Sequence, residues 1–207
     1  MKHLKWSPYV GDNFSTAKSK LLLIGESHYL DEKPDSLNRS KDPQFTKEVV
    51  KSLGVNEDYY PSHFFPNVNR LFALNDTSRE AFWSKVAFYN FIQRPMFTKN
   101  TRPNRADIAL GWSAFDEILE KLSPDICLFL GNSNAKTMQK GLSENQKLKV
   151  EPLRYMNKVG GSWFYKSNIE RDDKTITCLF IKHPSRYFSY IKWRKELSNK
   201  YDIIFHI

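Results

Sequence analysis

The chain has 207 residues, enough for one domain with a real core, and 40% of them are hydrophobic. No apolar run reaches the ~20 residues that span a bilayer. Met1 to Val10 lacks the hydrophobic stretch of a secretory leader, so a cytoplasmic protein without membrane contact is expected. Lys and Arg number 32 against 23 Asp and Glu, a net charge of +9 that permits a polyanionic partner, and aromatic residues are abundant at 14%.

Residues 1–18 are polar, with Trp6, Pro8 and Tyr9 interspersed, and read as an arm lying on the domain. Leu21 to Ile24 is a continuous apolar run closed by Gly25, the pattern of a strand buried on both faces. Residues 31–84 form a divergent, partly helical excursion. Within it, Pro43 suits a first helical turn and Gly54 a stop, which predicts a helix from Pro43 to Leu53. A helix is expected from Pro66 to Leu74, and a short one from Ser78 to Ser84, capped by Thr77 or Ser78. Val86 to Tyr89 is a second apolar run, ending in Asn90, and 93–104 is a basic, proline-containing loop with Arg94, Lys99 and Arg102.

Ile108, Trp112, Phe115, Ile118, Leu119 and Leu122 recur at helical spacing, so Arg105 to Leu122 is an amphipathic helix. Ile126 to Leu130, closed by Gly131, reads as a third buried strand, and Ser133 to Lys140 as the next helix. Residues 141–158 look irregular. Ser162 to Lys166 and Thr175 to Ile181 read as the last two strands, candidates for a hairpin, followed by a helix from Ser185 to Ser198. Ile203 to Phe205 is an edge strand or a docked end. Strands alternating with helices predict an α/β fold: one domain over 1–207, a three-layer α/β/α sandwich around a central, mainly parallel four-stranded sheet.

Cys127 and Cys178 each sit inside an apolar run and read as core thiols. Two cysteines cannot supply four thiolates for an iron–sulfur cluster, and their spacing is not that of a zinc site. No glycine-rich phosphate loop or dinucleotide fingerprint is present, so neither metal nor cofactor is implied. Polar residues do gather at strand ends: Glu26, Ser27, His28 and Tyr29 after the first, Asn90 and Arg94 after the second, His183 and Ser185 after the last. In a parallel sheet these ends share one edge, where ligands bind in open α/β folds.

The arrangement resembles the uracil-DNA glycosylase superfamily. Gly25-Glu26-Ser27-His28-Tyr29 is similar to its first motif, and Asn90 with Arg94-Pro95 to its middle motif, about one residue closer together than in the iron–sulfur branch. Leu110-Gly111-Trp112 and Pro124 to Gly131, with Ala135-Lys136, resemble its next helix and strand, and His183-Pro184-Ser185 its closing motif. The likeness covers about 20–30 and 85–195. It implies hydrolysis of the N-glycosidic bond of uracil or a modified base in DNA, by a monomer that binds single- or double-stranded DNA with the base flipped out. The best-known members carry Asp or Asn third in the first motif, to position the attacking water; here that residue is Ser27.

The residue types suit this chemistry. A flipped base is read along its Watson–Crick edge and stacked on an aromatic ring. The Asn90 carboxamide offers donors and an acceptor together. A neutral His183 can stabilise negative charge on a departing base. Catalytic candidates are therefore Glu26, His28 and His183. Gly25, Ser27, Tyr29, Asn90 and Phe65 (or its neighbour Phe64) would hold the base. Arg94, Ser185, Arg186 and Tyr187 would meet DNA, with Tyr187 or Phe188 as the wedge that fills the vacated stack. Lys182, Arg186, Lys192 and Arg194 would touch phosphates or form a solvated helix face. Two rival readings share the fold: a module that binds nucleic acid or nucleotides without cutting, and a hydrolase of small nucleosides or nucleotides.

Overall fold

The computed structural model describes residues 2–30, 35–58, 62–72, 79–98 and 100–201. Among these residues eight strands form one sheet: β1 (Tyr9–Val10), β2 (Leu21–Gly25), β3 (Val86–Asn90), β4 (Ile126–Phe129), β5 (Leu148–Val150), β6 (Arg154–Val159), β7 (Ser162–Arg171) and β8 (Lys174–Phe180). Their order is β1-β3-β2-β4-β8-β7-β5, with β6 also paired to β7. The α/β class is as expected, but the four-stranded, mainly parallel sheet is not what the chain builds. The sheet is mixed, and four of its seven pairings among the described residues are antiparallel. The cause is local. Asp172, with φ of 51°, turns β7 directly into β8, and a turn that tight permits only antiparallel pairing. Gly160 and Gly161, both with positive φ, do the same between β6 and β7. The stretch 141–158, expected to be irregular, thus holds β5 and β6. The three parallel pairings are contiguous and run β3-β2-β4-β8.

The helices are α1 (Ser36–Arg39), α2 (Phe45–Val49), α3 (Phe64–Phe72), α4 (Arg79–Ser84), α5 (Arg105–Leu122), α6 (Met138–Gly141) and α7 (Tyr190–Tyr201). Strand alternation sorts the core between the two sheet faces. Leu22, Ile24, Phe129 and Phe180 pack with Trp112, Phe115 and Ile118 of α5. Leu21, Leu23, Phe88 and Leu179 pack with Val68 of α3, Trp83 of α4 and Trp193 of α7. The α5 boundaries are those predicted. Asn104 Oδ1 accepts from the Asp107 amide at 3.0 Å and Asp107 Oδ2 accepts from the Asn104 amide at 2.8 Å, a reciprocal cap worth about 1 kcal/mol.

Other boundaries move. The expected helix 43–53 is α2 continued by a wider π-helical stretch, Val50–Val55. The helix expected from Ser133 is a 3-10 turn, Ala135–Thr137, leading into α6. The last helix begins at Tyr190 and not Ser185, because Tyr187 takes a left-handed φ of 62° that no helix accommodates. The arm is fixed to α1 and its following loop: Trp6 Nε1 donates to the Ser40 carbonyl at 2.9 Å and the Ser7 amide to the Pro43 carbonyl at 2.7 Å. The expected caps Thr77 and Ser78, Lys99 and the tail strand 203–205 lie outside the described residues. Among those described, no helix is long and apolar enough to cross a membrane.

Candidate functional site

Because β3, β2, β4 and β8 run parallel, Asn90, Gly25, Gly131 and His183 come to one edge of the sheet. Phe88 and Ile181 face α3 and α7, and Asn90 and His183, each two residues further on, continue that face. Asn90 pairs in register with Gly25. A Cβ on Gly25 would stand 2.2 Å from Asn90 Oδ1, so the carboxamide leans across the end of β2 into space that only glycine leaves. Asn90 is largely buried, at 6% exposure, but its carboxamide, without a hydrogen bond to the described residues, keeps contact with solvent at the edge. Its main-chain carbonyl is engaged, accepting from Gln93 Nε2 at 2.6 Å.

The His183 ring leans the other way, over the end of β4. A Cβ on Gly131 would meet its Cδ2 at 3.9 Å. The amide and the imidazole thus lie at one edge of the sheet with the ends of β2 and β4 between them. Burial pushes the His183 pKa below the ordinary imidazole value, against the opposing pull of the Glu26 carboxylate, so the ring is neutral at pH 7. Phe64 completes the group, its ring 5.2 Å from His183 and 6.2 Å from Phe88. Phe65, the aromatic expected to hold a base, is instead core: it packs on Trp83 at 5.9 Å and Phe88 at 5.8 Å. The half-buried Phe64 is the ring at the edge.

The first motif divides between site and scaffold. The carbonyls of Gly25, Glu26 and His28 accept from the amides of Phe91, Ile92 and Met96, which extends the ladder past β2. Glu26 is half-buried with its charge acting on His183. Ser27 Oγ is buried without a hydrogen-bond partner. His28 turns away from the edge, against the arm and α2. Its Nε2 is hydrogen-bonded with Thr46 Oγ1 at 2.8 Å, and its ring packs on Trp6 at 4.9 Å and Phe45 at 4.8 Å. Burial, and then Lys5, lower its pKa to about 3. His28 therefore stays neutral inside a scaffold contact and is removed as a candidate base. Tyr29 bridges to Met96 and packs half-buried on the α5-side core.

The closing motif is a compact loop. The Ser185 amide donates to the His183 carbonyl at 2.8 Å, and Asn67 Nδ2 of α3 donates to the carbonyls of Pro184 and Ser185 at 3.3 and 3.2 Å. Asn67 was not singled out from the sequence; an amide on the apolar face of an amphipathic helix was the available signal. Lys182 Nζ donates to the Tyr187 carbonyl at 3.0 Å and holds the left-handed turn. Tyr187 is 92% exposed, whereas Phe188 is buried and stacked on Trp193, so Tyr187 alone is free to act as a wedge. Ser185, Arg186 and Lys192 are exposed. Arg194 donates from Nε to the Leu71 carbonyl at 3.1 Å and also bonds the Arg70 carbonyl, which ties α7 to α3. Arg94 is likewise engaged, its Nε and Nη2 donating to the two Asp107 carboxylate oxygens at 2.6 and 2.8 Å. This fork anchors the 91–96 segment to the start of α5.

Among the described residues no group of three or more His, Cys, Asp and Glu side chains gathers to hold a metal ion. Neither a family model nor a curated protein matches this chain.

Proposed function

We propose that the edge between Asn90 and His183 receives a nucleobase flipped out of DNA, and that the protein hydrolyses the N-glycosidic bond of uracil or a modified base. The observation that carries this reading is the Asn90 carboxamide, largely buried but open to solvent at the strand ends, on the same edge as a neutral His183 imidazole that packs on the Phe64 ring. A base leaving the duplex loses pairing and stacking at a cost of roughly a few kcal/mol. Asn90 supplies a donor and an acceptor to its edge, and Phe64 supplies a stacking face. The C1′–N bond then breaks with its electrons moving onto the base, and His183 donates a hydrogen bond to the carbonyl where that charge collects. Water adds at C1′ and gives up a proton, for which Glu26 is the nearby carboxylate. Tyr187, exposed on a loop fixed at both ends, enters the space the base has left. The resemblance to the uracil-DNA glycosylase superfamily supports the same roles.

The test is a panel of single- and double-stranded oligonucleotides, each carrying one uracil or modified base, treated with alkali to reveal abasic sites. Excision by the wild type, lowered on the order of 10²–10³-fold in His183→Ala, is the expected result. Asn90→Asp turns a donor into an acceptor and is expected to shift preference from uracil toward cytosine. Neither excision nor base-selective binding on any substrate would refute the reading. One observation favours a second one: Ser27, whose Oγ is buried and unpartnered, stands where the best-known members have a water-positioning Asp or Asn. A protein that binds the base without cutting fits that hydroxyl, and base-selective binding with no abasic product identifies it.

A further inference from the structure

The hairpin of β6 and β7 presents a feature that the base-binding edge does not use. Trp163 and Tyr165 lie two apart on β7 and so share a face, and Tyr155 stands opposite Tyr165 on β6. The Tyr155 ring is 5.7 Å from Trp163, nearly perpendicular to it, and 5.0 Å from Tyr165. Trp163 is 41% exposed and Tyr155 is 54% exposed, which is unusual for rings of this size in a chain whose other four tryptophans are buried. Cations cover the patch. Lys158 Nζ lies 5.0 Å from the centre of the Trp163 ring and Lys136 Nζ lies 6.0 Å from that of Tyr155. From Arg154 to Lys166 the hairpin carries three cations and no carboxylate.

Position adds a second argument. Tyr165 pairs with Phe180, so the start of β7 lies beside the end of β8, at the edge that carries His183. Asn132 Nδ2 donates to the Trp163 carbonyl at 2.9 Å, and Asn132 directly follows Gly131, the residue beneath the His183 ring. The aromatic face thus lies on the α5 side of the sheet, opposite the side that Asn90 and His183 continue, with its backbone tied to the loop at the same edge.

We infer that this hairpin face is a track for unpaired nucleic acid, with Trp163 and Tyr155 stacking successive bases and Lys136 and Lys158 meeting the flanking phosphates. Every base has a π-face, so such stacking tolerates any sequence. An exposed lysine over a ring is held more weakly than a base stacked on that ring. An arriving base therefore displaces Lys158 from Trp163 and leaves its ammonium for the backbone. The inference extends the DNA reading of the neighbouring edge but does not need that edge to cut.

Trp163 is its own reporter, because it is the exposed one among five tryptophans. The experiment titrates the protein with an octamer of thymidylate and with an octamer of abasic sites, following tryptophan fluorescence and, separately, anisotropy of a labelled octamer. The thymidylate octamer is expected to quench the emission and the abasic one to leave it unchanged. Trp163→Phe is expected to lose the quench while still binding, Trp163→Ala to bind roughly ten-fold more weakly. Removing Lys136 and Lys158 together is expected to lower the salt slope by about 0.7 per cation. Unaltered affinity in Trp163→Ala, or quenching that persists in Trp163→Phe, overturns the inference. Excision of uracil from a blunt duplex is measured beside these. Loss of the track with excision intact, or a working track without excision, tells the two readings apart.

Discussion

His28 gives the sharpest test of how the first motif is divided. The folded protein keeps this imidazole neutral down to about pH 3, because it is buried against Trp6 and Phe45 with Lys5 close by. In the unfolded chain it takes up a proton below about pH 6.5. Protons therefore favour the unfolded state: the stability is complete above pH 6.5 and is lost as the pH falls toward 3. Over the whole window the loss is about 5 kcal/mol, and between pH 7.5 and pH 5 it is about 2 kcal/mol. His28→Gln keeps a neutral hydrogen-bonding group near Thr46 but cannot titrate. Urea denaturation of both proteins at several pH values isolates the term, since every other group is common to the two. The wild type is expected to lose about 2 kcal/mol more than the variant between pH 7.5 and 5. Parallel curves would mean that His28 reaches solvent or a carboxylate, and would return it to the list of candidate bases.

Three further changes probe the edge and its supports. Arg94→Ala is expected to cost about 1 kcal/mol, since the fork to Asp107 is partly exposed, and to leave the salt dependence of oligonucleotide binding unchanged; a fall in slope of roughly 0.9 would make it a phosphate contact. Gly25→Ala sets a methyl 2.2 Å from Asn90 Oδ1 and 2.9 Å from Phe88 Cζ; a loss of roughly 1–3 kcal/mol is expected from the overpacking, together with loss of base selectivity. A stable variant with selectivity intact would show that the amide does not work from above β2. Tyr187→Gly relieves a left-handed backbone at some cost in glycine entropy, for a net gain of up to about 1 kcal/mol by thermal denaturation. The same variant is expected to weaken excision from duplex DNA but not from single strands, and equal loss on both would deny Tyr187 a wedge role.

The buried elements were the legible ones. Leu21 to Ile24, Val86 to Tyr89 and Ile126 to Leu130 are apolar on both faces, and such runs declare themselves without neighbours. The spacing of Trp112, Phe115, Ile118 and Leu119 marked α5 to the residue, because its cap and its apolar stripe agree. Strands β1, β5 and β6 were missed because each is short or polar and exists through its partner: Tyr9 through Phe88, Leu148 through Arg171, Tyr155 through Tyr165. The antiparallel pairings of β1, β5 and β6 were lost with them, whereas the β7–β8 hairpin was legible in its two runs. At the edge, Asn90 and His183 were visible as polar residues closing apolar runs. What residue type could not reveal was direction: His28 points into the arm, Arg94 into α5, Phe65 into the core and Phe64 toward His183.

The central place of β2 has a consequence during synthesis. It is made early, yet its partners are β3 at 86–90 and β4 at 126–129, and β4 in turn waits for β8 at 174–180. At about 5–20 residues per second, β3 follows the segment Leu21–Ile24 by roughly 3–13 s and the edge facing β4 lacks its partner for roughly 5–20 s. A stretch apolar on both faces is then a ready template for joining another nascent chain. Lys18 and Lys20 before it and Glu26 after it bracket the run with charge, the usual placement of residues that deter such joining. Glu26 thus has the placement of a charge that deters aggregation, at the same position from which its carboxylate acts on His183 in the folded protein.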